Sequence, residues 1–103
     1  MAAEIQINSL GQLIVMGELS FASIPELCKV GEQFINKCES PVFDLQNVNA
    51  EDNSGLALLT AWARFANQLN KVICFINLPN QLLDMARLSG LEKILPIKRV
   101  NNG

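Results

Sequence analysis

The sequence predicts an α/β domain in which three helices flank a mixed sheet of four or five strands. Short apolar segments with strand-like patterns alternate with longer segments of helical periodicity, which indicates parallel strands joined by crossover helices. Two strands near the start are separated by only a short turn, which adds an antiparallel hairpin. Half of the 103 residues are hydrophobic, enough for one core. We therefore predict a single domain over residues 1–103 in the order β-β-α-β-α-β-α, followed by one short further strand.

The first two strands form the predicted hairpin. Residues 4–8 alternate polar and apolar side chains, as a half-buried strand does. Residues 9–12 have the composition of a turn. Residues 13–16 form a more apolar strand that ends at Gly17 and Glu18.

The first helix is predicted to start at Ser23, which is able to cap it. Pro25 falls in the first turn, and Glu26 lies three residues after the cap, the spacing of a capping box. Apolar residues recur at helical spacing as far as Ile35, and the helix should end near Lys37.

The remaining elements follow in alternation. We predict a short strand at residues 41–45, a polar loop at residues 46–52, a helix at residues 54–69 and a strand buried on both faces at residues 71–76. The third helix should begin at residues 78–80 and end at Gly90 in a left-handed conformation. Residues 91–95 then add a turn, and residues 96–100 form the last strand.

Charge and composition exclude several kinds of partner. The net charge is −2 and the eight Lys and Arg residues are scattered, so nucleic acid is not an expected partner. No segment approaches the roughly 18 apolar residues that a membrane span requires, so we expect no direct membrane insertion. Residues 1–7 lack the basic start and apolar stretch of a secretory signal, and we therefore expect a cytoplasmic location.

The inventory of reactive residues argues against an enzyme, a cofactor and a metal site. The chain has no histidine and no tyrosine, and its six glycines are isolated, so it has no phosphate-binding loop. Glu51 and Asp52 are expected to stay solvated or to cap a helix rather than to form a catalytic pair. Cys28, Cys38 and Cys74 are an odd number without metal-ligand spacing, and we predict reduced thiols in or near the core.

The segment Asp52-Asn53-Ser54-Gly55 opens the second helix and is the most informative part of the chain. A helix start leaves backbone N–H groups unpaired and carries a partial positive charge, and Asp, Asn and Ser satisfy such donors. One cap is enough, so the surplus hydroxyl and amide are predicted to face a second protein or a phosphate. The alternative is that Ser54 is a cap and nothing more, in which case Ser54→Ala costs about 1 kcal/mol.

The second helix also has a wide apolar arc. Leu58, Trp62, Phe65 and Leu69 share one flank of it when positions are stepped by about 100° per residue. Trp is enriched at interfaces, so Leu58 and Trp62 are candidates for partner binding. Burial of this flank against a neighbouring helix is an equally supported interpretation.

These features together resemble a STAS domain, a family named for sulfate transporters and anti-sigma factor antagonists. The resemblance rests on the β-β-α-β-α-β-α order, on residues 17–19 (Gly-Glu-Leu) after the second strand and on residues 52–55. It spans nearly the whole chain. It implies a STAS-like fold and a role in protein–protein interaction.

One branch of the family is the small STAS subunit of Mla-type ABC transporters, which move phospholipid between the membranes of Gram-negative bacteria. Its pattern is similar to Asp-Thr-Gly-Gly-Leu-Ala-Leu-Leu, and residues 55–59 match the end of it. Residues 85–91 also resemble this branch, as does an end soon after Val100 without the final helix usual in the antagonists. The likeness implies a regulatory subunit that binds the cytoplasmic ATPase at the inner-membrane face and helps to maintain outer-membrane lipid asymmetry. The expected partner-binding residues are Asp52, Asn53, Ser54, Gly55, Leu58 and Trp62.

The other branch is the anti-sigma factor antagonists, whose pattern resembles Asp-Ser-Ser-Gly. There a partner kinase phosphorylates the serine directly before the glycine, which makes Ser54 a candidate phosphorylation site and implies an anti-sigma factor and a serine kinase as partners. The chain departs from the transporter pattern in having Asn53 in place of threonine. The helix dipole would favour a phosphate on Ser54, whereas Glu51 and Asp52 would oppose it.

Overall fold

The computed structural model describes residues 3–98 and confirms the predicted order of strands and helices. The elements are β1 (Glu4–Ile7), β2 (Leu13–Leu19), α1 (Ile24–Lys37), β3 (Val42–Ala50), α2 (Ser54–Gln68), β4 (Cys74–Ile76) and α3 (Asn80–Leu88).

The strands form one mixed sheet in the order β1-β2-β3-β4. β1 and β2 pair antiparallel through a turn in which Asn8 Oδ1 accepts two backbone amides and Gly11 adopts a φ of 79°. β2, β3 and β4 run parallel. The last predicted strand is, among the described residues, a single parallel bridge between Ile97 and Phe75. Positions 99–100 of that prediction lie outside the described residues.

β3 is longer than predicted, and the polar loop expected at residues 46–52 was wrong over most of its length. The strand runs over Val42–Ala50 because its alternate side chains face different surroundings. Val48 is buried in the core, whereas Asn47 and Asn49 are exposed on the opposite face. The alternation of polar and apolar residues was therefore a strand signal.

All three helices share one core with a single face of the sheet. Their buried residues belong to the same cluster as Leu13 and the other inward-facing strand residues. At the centre, the indole of Trp62 stacks on Phe43 with ring centroids 4.4 Å apart, and Trp62 Nε1 donates to the backbone carbonyl of Cys28 at 3.1 Å. α1 lies this close because Gly31 faces the indole, and a Cβ at that position would overlap it.

The start of α1 does not form the predicted capping box. Ser23 Oγ donates to the backbone carbonyl of Glu18 and accepts the backbone amide of Ser20, so it closes the turn before the helix instead. The turn between β2 and α1 is therefore fixed by its own hydrogen bonds.

The end of α1 is capped by a distant lysine. Lys71 Nζ donates to the backbone carbonyls of Ile35, Asn36 and Cys38 at 2.7, 2.5 and 3.0 Å. The ammonium thus pairs carbonyls that a helix end leaves free, at the negative pole of the helix. Because Lys71 binds the end of α1, β4 starts only at Cys74 and is shorter than the strand predicted at residues 71–76.

Candidate functional site

The predicted site lies at the edge of the sheet where the parallel strands end. Leu19, the last residue of β2, pairs in register with Ala50, the last residue of β3. The turns that follow, residues 20–23 and 51–53, therefore leave the sheet side by side, with origins about 4.8 Å apart. In α/β folds this edge is where loops gather functional residues.

Asp52 caps the start of α2. Its Oδ1 accepts the backbone amide of Ser54 at 2.8 Å, whereas Asn53 occupies the cap position without making a side-chain cap bond. The same bond holds the pKa of Asp52 below its ordinary value of 3.8. Asn53 is exposed and its amide is hydrogen-bonded to no other described residue. A polar, solvent-facing tip was therefore correctly expected for these two residues.

Ser54 does not belong to that exposed tip. It is 3% exposed, and its Oγ forms no hydrogen bond of good geometry within residues 3–98, although it lies near enough to the Asp52 carboxylate to help lower the pKa of that group. The prediction that its hydroxyl faces outward was wrong, because Asp52 supplies the cap and the first turn directs Ser54 into the domain. A buried hydroxyl without any partner costs about 1–3 kcal/mol, and one with a poorly formed contact costs part of that, so the first turn of α2 is a weak point of the helix.

Gly55 is buried where α2 meets the ends of two strands and α3. A Cβ at this position would lie 3.1 Å from Leu82 Cδ1 and 3.3 Å from both Ala50 Cβ and Leu19 Cδ1. Glycine therefore allows the helix start to sit close to the sheet edge. It sets the position of the helix and offers no surface to a partner, which corrects its assignment as a partner-binding residue.

Leu58 and Trp62 are core residues, and their assignment to a partner-binding flank was wrong. Both are 0% exposed. The indole is enclosed between Phe43 and α1, as the ring stack and the bond to Cys28 show. The alternative interpretation, burial against a neighbouring helix, is confirmed.

The opposite side of α2 is the side that solvent reaches. A groove of about 450 Å³ runs beside it and is lined on its far side by Ser89 and Leu91, which follow α3. Most of its side chains are short, so another backbone is able to approach closely. We call this surface the α2 face, and its residues are Asn53, Ala57, Thr60, Ala61 and Arg64.

Phe21 is a further candidate for the site that the sequence did not suggest. It is 82% exposed in the turn after β2, which Ser23 holds in place and which leaves the sheet beside Asp52 and Asn53. Exposed aromatic residues on ordered turns are typical anchors for partner proteins. The available signal was a lone aromatic in a run of small residues, Ser20-Phe21-Ala22-Ser23.

The described residues offer little for chemistry. Residues 3–98 contain no group of three carboxylate or thiol side chains that could hold a metal ion. Cys28, Cys38 and Cys74 are free and half-buried, as predicted, and burial raises the pKa of the Cys28 and Cys74 thiols. None of the helices in this range is long and apolar enough to cross a membrane.

Comparison with known proteins identifies the family. The sequence model of the family described as "Mlab, STAS domain" matches residues 6–96. No curated protein matches the chain.

The fold is similar to those of solved STAS proteins. The unphosphorylated anti-sigma factor antagonist SpoIIAA is 13% identical, with a TM-score of 0.72 over 98% of this chain and 90% of that one. The phosphorylated form of SpoIIAA, a Bacillus cell fate determinant, is also 13% identical, with a TM-score of 0.68 over 98% and 93%. An anti-sigma-factor antagonist domain protein from Planctomyces limnophilus is 7% identical, with a TM-score of 0.70 over 98% and 92%.

Proposed function

The chain belongs to the MlaB-type family of STAS domains, generally non-catalytic regulatory domains that interact with partner proteins, and we propose that it is an accessory subunit of an Mla-type lipid-transport ABC complex. Its partner is the cytoplasmic ATPase, which places it at the inner face of the membrane without inserting into it. The complex would serve outer-membrane lipid asymmetry. Docking alters the ATPase only if this chain binds one of its states more tightly than the others.

The observation that carries the proposal is the α2 face. Asn53 and Ala57 are exposed in the first turns of α2, and the groove beside them ends at Ser89 and Leu91. Short side chains next to a groove suit the close packing of a partner helix. Phe21, exposed at the same edge of the sheet, supplies an aromatic anchor.

Asp52 contributes charge to this surface. It caps α2, is exposed and carries a pKa below its ordinary value because it accepts the Ser54 amide, so it remains ionised. A basic side chain of the ATPase would complement it. Rim charges of this kind mainly accelerate association and make it sensitive to salt.

Binding of an Mla-type ATPase to this chain, measured by biolayer interferometry, tests the proposal. Asn53→Arg and Ala57→Arg place a long charged side chain on the α2 face and should each weaken binding by about tenfold or more. Gln33→Arg on the exposed side of α1 is the matched control and should bind as the wild type does. Unchanged binding by both α2 variants would remove this surface from consideration. Arginine at Ser54 is unsuitable, because the position is buried.

A second candidate function is an anti-sigma factor antagonist switched by phosphorylation of Ser54. It is supported by the similarity to SpoIIAA, which is known in unphosphorylated and phosphorylated forms. The burial of Ser54 requires the first turn of α2 to open before a kinase reaches the hydroxyl. A phosphate there would add nearly two negative charges beside Asp52, and the repulsion would favour the opened turn.

Intact-mass measurement after incubation with a serine kinase of an anti-sigma system tests this second function. The added mass of one phosphate on the wild type, absent from Ser54→Ala, is the expected result. No added mass under conditions where the kinase modifies its own substrate would exclude it.

A further inference from the structure

The sheet has one face that no helix of the described core covers. Parallel strands normally have both faces buried, because their crossover helices lie on both sides. Here the buried residues of α1, α2 and α3 all belong to the core on one side. The other face of β1–β4 has no helix against it, which departs from this rule. We call it the open face.

The centre of the open face is apolar. Four of its strand side chains are half-buried by their neighbours on the sheet, yet none belongs to the core or to the apolar residues packed against it. Their register places them together: Ile14 lies beside Asp44, and Val42 lies beside Cys74. These four are Ile14, Met16, Val42 and Cys74. Ile76, which pairs with Asp44 and is 6% exposed, is a fifth apolar residue on this face.

The charged groups of the strands are all acidic and all on this face. None of the four strands contains a lysine or an arginine. Glu4 pairs with Met16, and Glu18 pairs with Asn49, so both carboxylates lie on the open side with Asp44. Neither Glu4 nor Glu18 forms an ion pair within residues 3–98.

The two glutamates stand at a corner that has room for a long side chain. A cavity of about 610 Å³ opens beside them, between β1, the end of β2 and the first turns of α1, around the edge of the sheet on the side that α1 covers. Glu26 joins Glu4 and Glu18 on its wall, and no described basic residue lines it. A lysine or arginine at the edge of a helix on the open face would meet Glu4 and Glu18 first, with Glu26 just beyond the edge of the sheet.

We propose that the open face is a second docking surface, which takes an amphipathic helix of a partner protein with an apolar centre and lysine or arginine at its edge. Four strands span about 15 Å, wide enough for one helix of about 10 Å diameter. A second copy of this chain is disfavoured, because its own Glu4, Glu18 and Asp44 would enter the same interface. Lys98 lies beside Cys74 at the opposite edge of the sheet from Glu4, so the acidic end of this face is the end formed by β1 and β2. The proposal does not depend on the ATPase partner, because the α2 face lies on the other side of the molecule.

A fluorescein-labelled 14-residue amphipathic helix of leucine and lysine is the probe, with its leucine–glutamate counterpart as the charge control. Fluorescence anisotropy with the full chain should show binding of the first peptide only, weakened by salt. Replacing both glutamates (Glu4→Gln with Glu18→Gln) should weaken binding by about fivefold. Met16→Thr, which keeps a strand-forming residue, should weaken it through the apolar centre.

Matched controls separate this surface from net charge and from the α2 face. Glu39→Gln with Asp84→Asn removes two exposed carboxylates elsewhere, and Ala57→Arg alters the α2 face; both should bind the peptide as the wild type does. Equal weakening by Glu39→Gln with Asp84→Asn, equal binding of the acidic peptide or no binding of the basic one would overturn the proposal. So would a dimer in sedimentation that Met16→Thr dissociates, because a second copy would then occupy the face.

Discussion

Replacing Ser54 with alanine should stabilise the protein, which is the opposite of what a serine at a helix start suggests. As a cap, Ser54 would lose about 1 kcal/mol on truncation. The structure instead gives the capping role to Asp52 and leaves Ser54 Oγ buried within residues 3–98 with only a poorly formed contact to the Asp52 carboxylate. The sign of the change therefore distinguishes the two roles.

The size of the change in unfolding free energy follows from the interactions that Ser54→Ala removes. An unsatisfied buried hydroxyl costs about 1–3 kcal/mol. Against this, the lost oxygen gives up a few packing contacts of about 0.1–0.2 kcal/mol each. The net gain for Ser54→Ala should be about 1 kcal/mol, which raises the midpoint of thermal unfolding of a domain this size by about 4–8 °C.

The fluorescence of Trp62 is a suitable probe of unfolding. This residue is the chain's single tryptophan, is 0% exposed and is stacked on Phe43, so its fluorescence should change strongly on unfolding. Urea titrations of wild type and Ser54→Ala should give the same slope and a higher midpoint for the variant. Ser40→Ala, at an exposed position before β3, should change stability by less than about 0.5 kcal/mol. A Ser54→Ala variant less stable than the wild type would show that the hydroxyl does cap α2 and refute the reasoning.

Three other predictions follow from contacts in the same domain. Gly31→Ala places a Cβ on the indole of Trp62 and should cost about 1–3 kcal/mol in the urea titration, with Gln33→Ala on the same helix near neutral; a neutral Gly31→Ala would show that the stack is loose. Lys71→Met removes the ammonium that pairs three carbonyls of α1 and should cost about 1–3 kcal/mol, whereas an unchanged midpoint would mean that water replaces it fully. Because the pKa of Asp52 is lowered in the fold, its contribution is complete above the unfolded value of about 3.8 and is lost as the pH falls through the lower folded value. The free energy of unfolding of the wild type should therefore fall towards that of Asp52→Asn as the pH is lowered. A difference between the two that stays constant from pH 6 to pH 2 would show that the charge of Asp52 does not stabilise the fold.

The order of elements was predictable because it depends on local patterns. Hydrophobic periodicity marked every helix, and Gly90, with a φ of 72°, follows α3 in the conformation that was expected of it. The same periodicity placed Leu58 and Trp62 on one face of α2, but it did not show which part of the molecule packs against that face. Which side of a wide apolar arc meets the core depends on α1, whose Gly31 lies about thirty residues before Trp62 in the sequence.

Contacts between distant residues were the part that the sequence did not reveal. Lys71 caps a helix that ended more than thirty residues earlier, and nothing near it in sequence indicates that role. Phe21 is a candidate only because the register of β2 and β3 brings its turn beside Asp52. The orientation of Ser54 was missed for a related reason, since Asp, Asn and Ser were equally suitable caps and only geometry selects among them.

The orientation of Ser54 also separates the two candidate functions in energetic terms. The proposed docking on the α2 face would use Asn53 and Ala57 and would need no rearrangement, because both are already exposed. Phosphorylation needs the first turn to open, but that opening returns an unsatisfied hydroxyl to water and so recovers part of its cost. The opening has a limit at Leu56, which is 5% exposed and belongs to the core, so it would be confined to the turn that Asp52 caps. Opening this turn would also displace Asn53, because the Ala57 amide donates to the Asn53 carbonyl at 3.1 Å across it. Phosphorylation of Ser54 would therefore disturb the α2 face, so the two candidate functions would compete for the same turn.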